Sequence, residues 1–248
     1  MKHLYDKSKI WFAIAWIVAY CVLMSLGDSL STELGVEKSV TLAVGVTLCA
    51  LLLLFLDRHG LLREHGLCRS RARVTTVLFY IPIVIMLTAN FWCGARLNYG
   101  VLETILYILA MFCVGFLEEI IFRGLLFEAM REESERAAIV VSSVTFGIGH
   151  IINLVNGSGA ELLPNLLQVV YATAAGFMFV MLYRRTGSLL VCILAHGLFN
   201  ALSAFSVEPP NVGMRIVTAI LLTVITGSYA IYLALPMKKK NKQKENTD

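Results

Sequence analysis

Long apolar runs, each broken by a short polar cluster, set the rhythm of this chain. Segments of spanning length fall at about 10–26, 39–56, 74–92 and 101–127, then at 137–155, 162–183, 188–205 and 212–235, by the rule that about 20 apolar residues cross a bilayer. The pattern predicts an all-α, polytopic membrane bundle of about eight transmembrane helices. The fourth segment is long enough to tilt or to project past the bilayer. The first 27 residues, basic and then apolar, have the look of a signal peptide. Their apolar run is long and no A-x-A cleavage site follows, so they are read as a retained first span.

The polar clusters supply a topology, because lysine and arginine accumulate on the cytoplasmic side. Lys2, Lys7 and Lys9 precede the first segment. Arg58, Arg63, Arg69, Arg71 and Arg73 separate the second from the third, Arg131 and Arg136 follow the fourth, and Arg184 and Arg185 follow the sixth. Lys238, Lys239 and Lys240 open the tail. The alternate loops carry Asp28, Glu33 and Glu37, then Arg96, then 156–161 and 208–211, and are acidic or poor in charge. Both termini are therefore expected in the cytoplasm. The stretch 57–73 reads as a basic loop, with a short interfacial amphipathic helix as the alternative. His59 and His65 within it are six residues apart and share no helical face, which argues against a metal site there.

Composition agrees with this solvent. Hydrophobic residues make up 58% of the 248 and charged residues 15%, an apolar excess over soluble domains. No polar block is large enough to fold separately, so 1–248 reads as a single membrane-embedded domain. The net charge of +4 is spread over loops and tail, where it bears on topology; no nucleic-acid partner is expected. Six cysteines, Cys21, Cys49, Cys68, Cys93, Cys113 and Cys192, form no C-x-x-C pair and read as small hydrophobes.

Ionisable groups inside a span cost a few kcal/mol each, which makes them functional candidates unless they are paired. They concentrate in three places: Glu118, Glu119 and Arg123 in the fourth segment, His150 at the end of the fifth, and His196 with Asn200 in the seventh. Glu119 and Arg123, four apart on one face, are placed for an ion pair, while Glu118 points about 100° away and is left for chemistry. Counting 1.5 Å per residue from the cytoplasmic ends puts Glu118 at roughly 15 Å depth, His150 at about 20 Å, His196 at about 12 Å and Asn200 at about 18 Å. A single layer then holds a carboxylate able to take a proton from water, two imidazoles and an amide donor. Ser142, Ser143, Ser188 and Ser203 occupy no nucleophile elbow, so general-base activation of water is the simplest chemistry. Glu118, His150 and His196 also form a possible zinc set, although the H-E-x-x-H spacing is absent and no cofactor is favoured. Gly147, Gly149 and Gly197 permit close helix approach around the layer, and Ala172, Ala174, Ala175 and Gly176 read as packing surface.

These residues resemble the three motifs of the CPBP intramembrane protease family, which includes CAAX prenyl proteases and bacteriocin-processing or immunity proteins. E-E-x-x-x-R is Glu118, Glu119 and Arg123; F-x-x-x-H is Phe146 and His150; H-x-x-x-N is His196 and Asn200. The resemblance covers about 101–203, and the stretch 185–190 resembles the family's approach to its third motif. It implies an endopeptidase in which Glu118 and His150 activate water near the cytoplasmic leaflet, with His196 and Asn200 at the oxyanion. Glu119, Arg123 and Phe146 take supporting roles. The expected setting is a bacterial cell membrane, with a peptide or membrane protein as substrate. A non-proteolytic immunity or regulatory partner that keeps the fold is the alternative. A transporter with a buried proton relay comes third, since no internal repeat is evident.

Overall fold

The computed structural model describes residues 1–70, 77–154 and 161–235. Among them the regular structure is helical, with no strand beyond an isolated bridge between Ala95 and Ser206. A short α1 (Lys2–Lys7) leads into α2 (Lys9–Leu34) and α3 (Ser39–Arg58), and α4 (Ile81–Thr88) follows. The long α5 (Val101–Arg131) is succeeded by α6 (Glu135–Gly149), α7 (Leu162–Thr186), α8 (Leu190–Leu202) and α9 (Val212–Ala234).

Local chemistry punctuates the helices as their sequences require. The Ser8, Ser134 and Asn211 side chains accept the N–H groups of Trp11, Ala137 and Met214 at the starts of α2, α6 and α9, satisfying donors that a helix start leaves open. Gly35 and Gly187 end α2 and α7 in the left-handed conformation, which glycine adopts without steric cost.

Among the described residues six helices are long and apolar enough to cross a membrane: α2, α3, α5, α6 with its 3-10 extension to Leu154, α7 and α9. Apolar side chains such as Leu23, Leu54, Val140, Leu166 and Ile220 face outward, as a lipid-solvated bundle requires. The third and seventh expected segments are shorter helices, Ile81–Phe91 and Leu190–Phe205. Pro82 explains the first, because it sits in the opening turn of α4 and cannot continue a helix from its N-terminal side. For the second, Gly187 turns the chain, and the Leu189 N–H bonds to the Gly66 carbonyl at 2.9 Å.

That bond shows what the basic stretch after α3 does. Residues 59–70 form turns rather than an amphipathic helix. They fold against the bundle, with Leu61, Leu62 and Leu67 on the core and His65 buried. The expected Arg71 and Arg73, the start of the third segment, the loop after 154 and the lysine tail lie outside the described residues.

The helices pack as a continuous set: α2 on α3, both on α5, α5 on α8, and α7 between α6 and α9. Glycines make two of these crossings possible. A Cβ at Gly115 of α5 would lie 2.6 Å from the Gly197 nitrogen of α8, and one at Gly176 of α7 would lie 2.9 Å from the Ser143 carbonyl oxygen of α6.

Candidate active site

The first motif sits where α5 changes its winding. Ile120–Phe127 is π-helical, and all eight of its residues are buried. Such insertions recur at functional sites because they redirect side chains without breaking the helix. Immediately before it, Glu119 accepts from the Arg123 guanidinium at 3.1 Å, with both side chains fully buried. Arg123 also donates to the Gly176 carbonyl and lies over the Phe146 ring at 4.2 Å. A charge this deeply buried needs such partners, since an unpaired one would shift or unfold the site.

His196 joins the two glutamates. Its Nδ1 lies 2.9 Å from Glu119 Oε1, and its Nε2 lies 3.3 Å from Glu118 Oε2. The ring is fixed by a stack on Phe179 and an edge contact with Phe146. Its neighbour Gly197 lets α8 approach α5 closely enough for these contacts. A neutral imidazole has a single N–H. Each ring nitrogen of His196 faces its own carboxylate oxygen, one on Glu119 and one on Glu118.

Glu118 is half-buried and not isolated: the Tyr20 hydroxyl of α2 donates to its Oε1 at 2.6 Å. Tyr20 was not among the residues read from the sequence. Its only signal is a hydroxyl near the middle of an apolar span, a polar handle that seeks a partner when buried.

Glu118, Tyr20, Phe146, His150 and Asn200 all line one cavity of about 410 Å³. Phe146, His150 and Asn200 also line a smaller adjoining cavity together with His196. His150 is oriented by its own Phe146 carbonyl, 3.1 Å from Nδ1, and by the Phe146 ring, while the Asn165 amide holds the His150 carbonyl. The structure thus gathers the four polar residues around two contiguous spaces. His196 is the exception in kind, with both ring nitrogens engaged by carboxylates.

Three of the serines are tied to backbone carbonyls, Ser203 among them although it lines the Glu118 cavity. Ser142, Ser188 and Ser203 donate to the carbonyls of Phe122, Cys68 and Asn200. The cysteines are free, and only Cys192 is fully buried. Among the described residues no group of three or more His, Cys, Asp or Glu side chains is disposed to hold a metal ion. Of the residues in the possible zinc set, Glu118 and His196 meet at 3.3 Å, while His150 is oriented by the Phe146 carbonyl.

Residues 100–202 match the family model described as type II CAAX prenyl endopeptidase Rce1-like. A curated protein from Bacillus subtilis (strain 168), titled "Putative membrane peptidase YdiL", is 39% identical over 85 residues, covering 34% of this chain and 30% of its own length. No solved structure matches the chain. The family match spans all three motifs and bears out the resemblance drawn from them.

Proposed function

We propose, taking the Rce1-like core at residues 100–202 as the premise, that this integral multi-pass membrane protein is an intramembrane endopeptidase of bacterial origin. The observation that carries the reading is the Glu118 carboxylate. It is held between Tyr20 and His196 at the wall of a polar cavity within an otherwise apolar bundle.

In the proposed reaction a water in the cavity gives its proton to Glu118 as its oxygen attacks the scissile carbonyl. Glu118 then gives that proton to the departing amine as the tetrahedral intermediate collapses and the C–N bond breaks, while His196 stays against both glutamates and orients the Glu118 carboxylate. The distances favour this pairing over an oxyanion role for His196, since its two ring nitrogens are occupied. His150 and Asn200, which face the cavity, are the groups placed to donate to the oxyanion. Glu119 and Arg123 hold His196 and neutralise the buried charge. Removing one oxyanion donor costs about 100- to 1000-fold in kcat in other hydrolases, and a similar loss is expected for Asn200→Ala.

The test is cleavage of a quenched-fluorescent peptide library by purified wild type and Glu118→Gln, each with and without a zinc chelator. Loss on mutation without loss on chelation is the expected result. Full activity of Glu118→Gln in folded protein would overturn the mechanism, and loss on chelation would overturn the metal-free form of it.

A further inference from the structure

The cavity that holds Glu118 has a direction. On α5 its lining runs from Glu118 back through Val114 and Met111 to Tyr107; on α2 it runs from Tyr20 forward to Asp28. On α6 and α8 it occupies the C-terminal ends, at Asn153 and Ser203. Because neighbouring spans alternate in sense, all these ends lie on one side of the bundle. In the other direction the lining stops at Phe122, inside the fully buried π-helical segment.

The two ends of the bundle differ in charge. The closed end gathers Lys9, Arg63, Arg69, Arg131, Arg184 and Arg185 around a second, separate cavity that four glutamates also line; lysine and arginine, which alone count in the basic-residue rule, mark it as cytoplasmic. The open end carries a Lys38–Asp28 ion pair at 2.8 Å, both side chains partly exposed, with the Thr41 hydroxyl donating to the same carboxylate. A charged pair on the cavity lining belongs at water, since hydrocarbon would leave its outer faces unsolvated.

We infer that the Glu118 cavity opens on the non-cytoplasmic face, and that it takes an extended peptide segment presented from that side rather than a cytosolic chain end. Its substrate assignment rests on the proposed proteolysis; its direction does not. The expected cleavage near the cytoplasmic leaflet would then be reached by a path from the opposite face. From Tyr107 to Glu118 the path is about 16 Å long at the helical rise. That length admits roughly five residues of extended peptide. Substrates would then be exported peptides, or the outer tails and loops of membrane proteins.

Native thiols provide the test. Cys21 lines the Glu118 cavity and Cys68 the basic one. Two variants would keep one of these cysteines each, with the others replaced by alanine, and their folding would be checked by thermal unfolding. Each is treated with a small anionic methanethiosulfonate in right-side-out and inside-out vesicles. A charged reagent does not cross the bilayer, so Cys21 should react about tenfold faster in right-side-out vesicles and Cys68 about tenfold faster in inside-out ones. Faster reaction of Cys21 from the inside, equal rates, or no reaction from either side would overturn the opening.

Peptide added to right-side-out vesicles should be cleaved, and the same peptide added to inside-out vesicles should not. Cleavage by solubilised protein but not by right-side-out vesicles would overturn the substrate side. No cleavage even by solubilised protein, with the labelling as expected, would overturn the proteolysis and leave the opening standing.

Discussion

Replacing Gly115 by alanine tests whether the α5–α8 crossing sets the distance between His196 and its carboxylates. The new Cβ would stand 2.6 Å from the Gly197 nitrogen and 2.8 Å from the Gly197 Cα. Both are backbone atoms, so no rotamer change relieves the contact. Restoring a separation of about 3.5 Å moves α8 outward by about 0.9 Å. His196 directly precedes Gly197 and travels with it. Its 3.3 Å contact with Glu118 would then exceed hydrogen-bonding range.

Misplacement of about 1 Å costs about 100-fold in rate, and overpacking of this kind costs about 1–3 kcal/mol in stability. Both quantities are measurable on purified protein, as kcat/KM on a cleaved peptide and as thermal unfolding in detergent. Gly227→Ala on α9 is the control, because nothing lies within 4 Å of its added Cβ. That change should leave activity intact and stabilise the protein by about 0.4–1 kcal/mol. A Gly115→Ala protein with kcat/KM within about twofold of wild type would refute the argument that this crossing sets His196 against Glu118.

Arg123→Met should cost about 3–5 kcal/mol, because it strands the fully buried Glu119; Glu119→Gln in the same chain should recover part of the loss, and unchanged unfolding of Arg123→Met would refute the assigned role. Acidification should act through His65, whose Nδ1 donates to the Gly124 carbonyl of the π-helical segment at 2.7 Å and whose Nε2 accepts from the Tyr5 hydroxyl at 2.9 Å. Burial pushes the His65 imidazole below its usual 6.5, outweighing the opposing pull of the Gly124 carbonyl and of Glu64. The unfolded chain then binds the proton more readily. Stability from this group is complete above pH 6.5 and declines as pH falls through that value toward the lower folded pKa. Glu64, held below the usual carboxylate range chiefly by its hydrogen bond from Lys9, stays ionised across that window and does not mask the effect. Thermal unfolding between pH 7 and 5 should therefore fall more steeply for wild type than for His65→Gln; parallel slopes would refute it.

The fold was legible where apolar run length alone decides the outcome. Six segments became helices of spanning length, because in hydrocarbon the backbone must satisfy itself within each helix. The two shortened helices show the limit of that reasoning. Hydropathy registers a continuous apolar stretch across Pro82, whereas the backbone registers a ring that cannot continue the turn. The basic stretch after α3 likewise reads as solvated from its charges. Its fate rests instead on Leu61, Leu62, Leu67 and the buried His65, which find partners only once α5 and α8 are in place.

Which polar groups stand inside the membrane is written in the chain itself, since Glu118, Glu119, Arg123, His150, His196 and Asn200 interrupt apolar runs at visible spacings. The Glu119–Arg123 pairing is equally local, an i, i+4 relation within one helix. Three things depend on contacts between residues far apart in sequence, and no periodicity encodes them. Tyr20 reaches Glu118 from a helix 98 positions away. His196 turns both ring nitrogens to the two glutamates because Gly115 and Gly197 bring α8 against α5. The cavity opens toward the end bearing Asp28 and Lys38 because the buried π-helical turn closes the other. Sequence alone therefore determined the membrane solvent and the inventory of chemical groups. Tertiary packing decided which groups touch and from which side they are reached, since both follow from how closely separate helices approach.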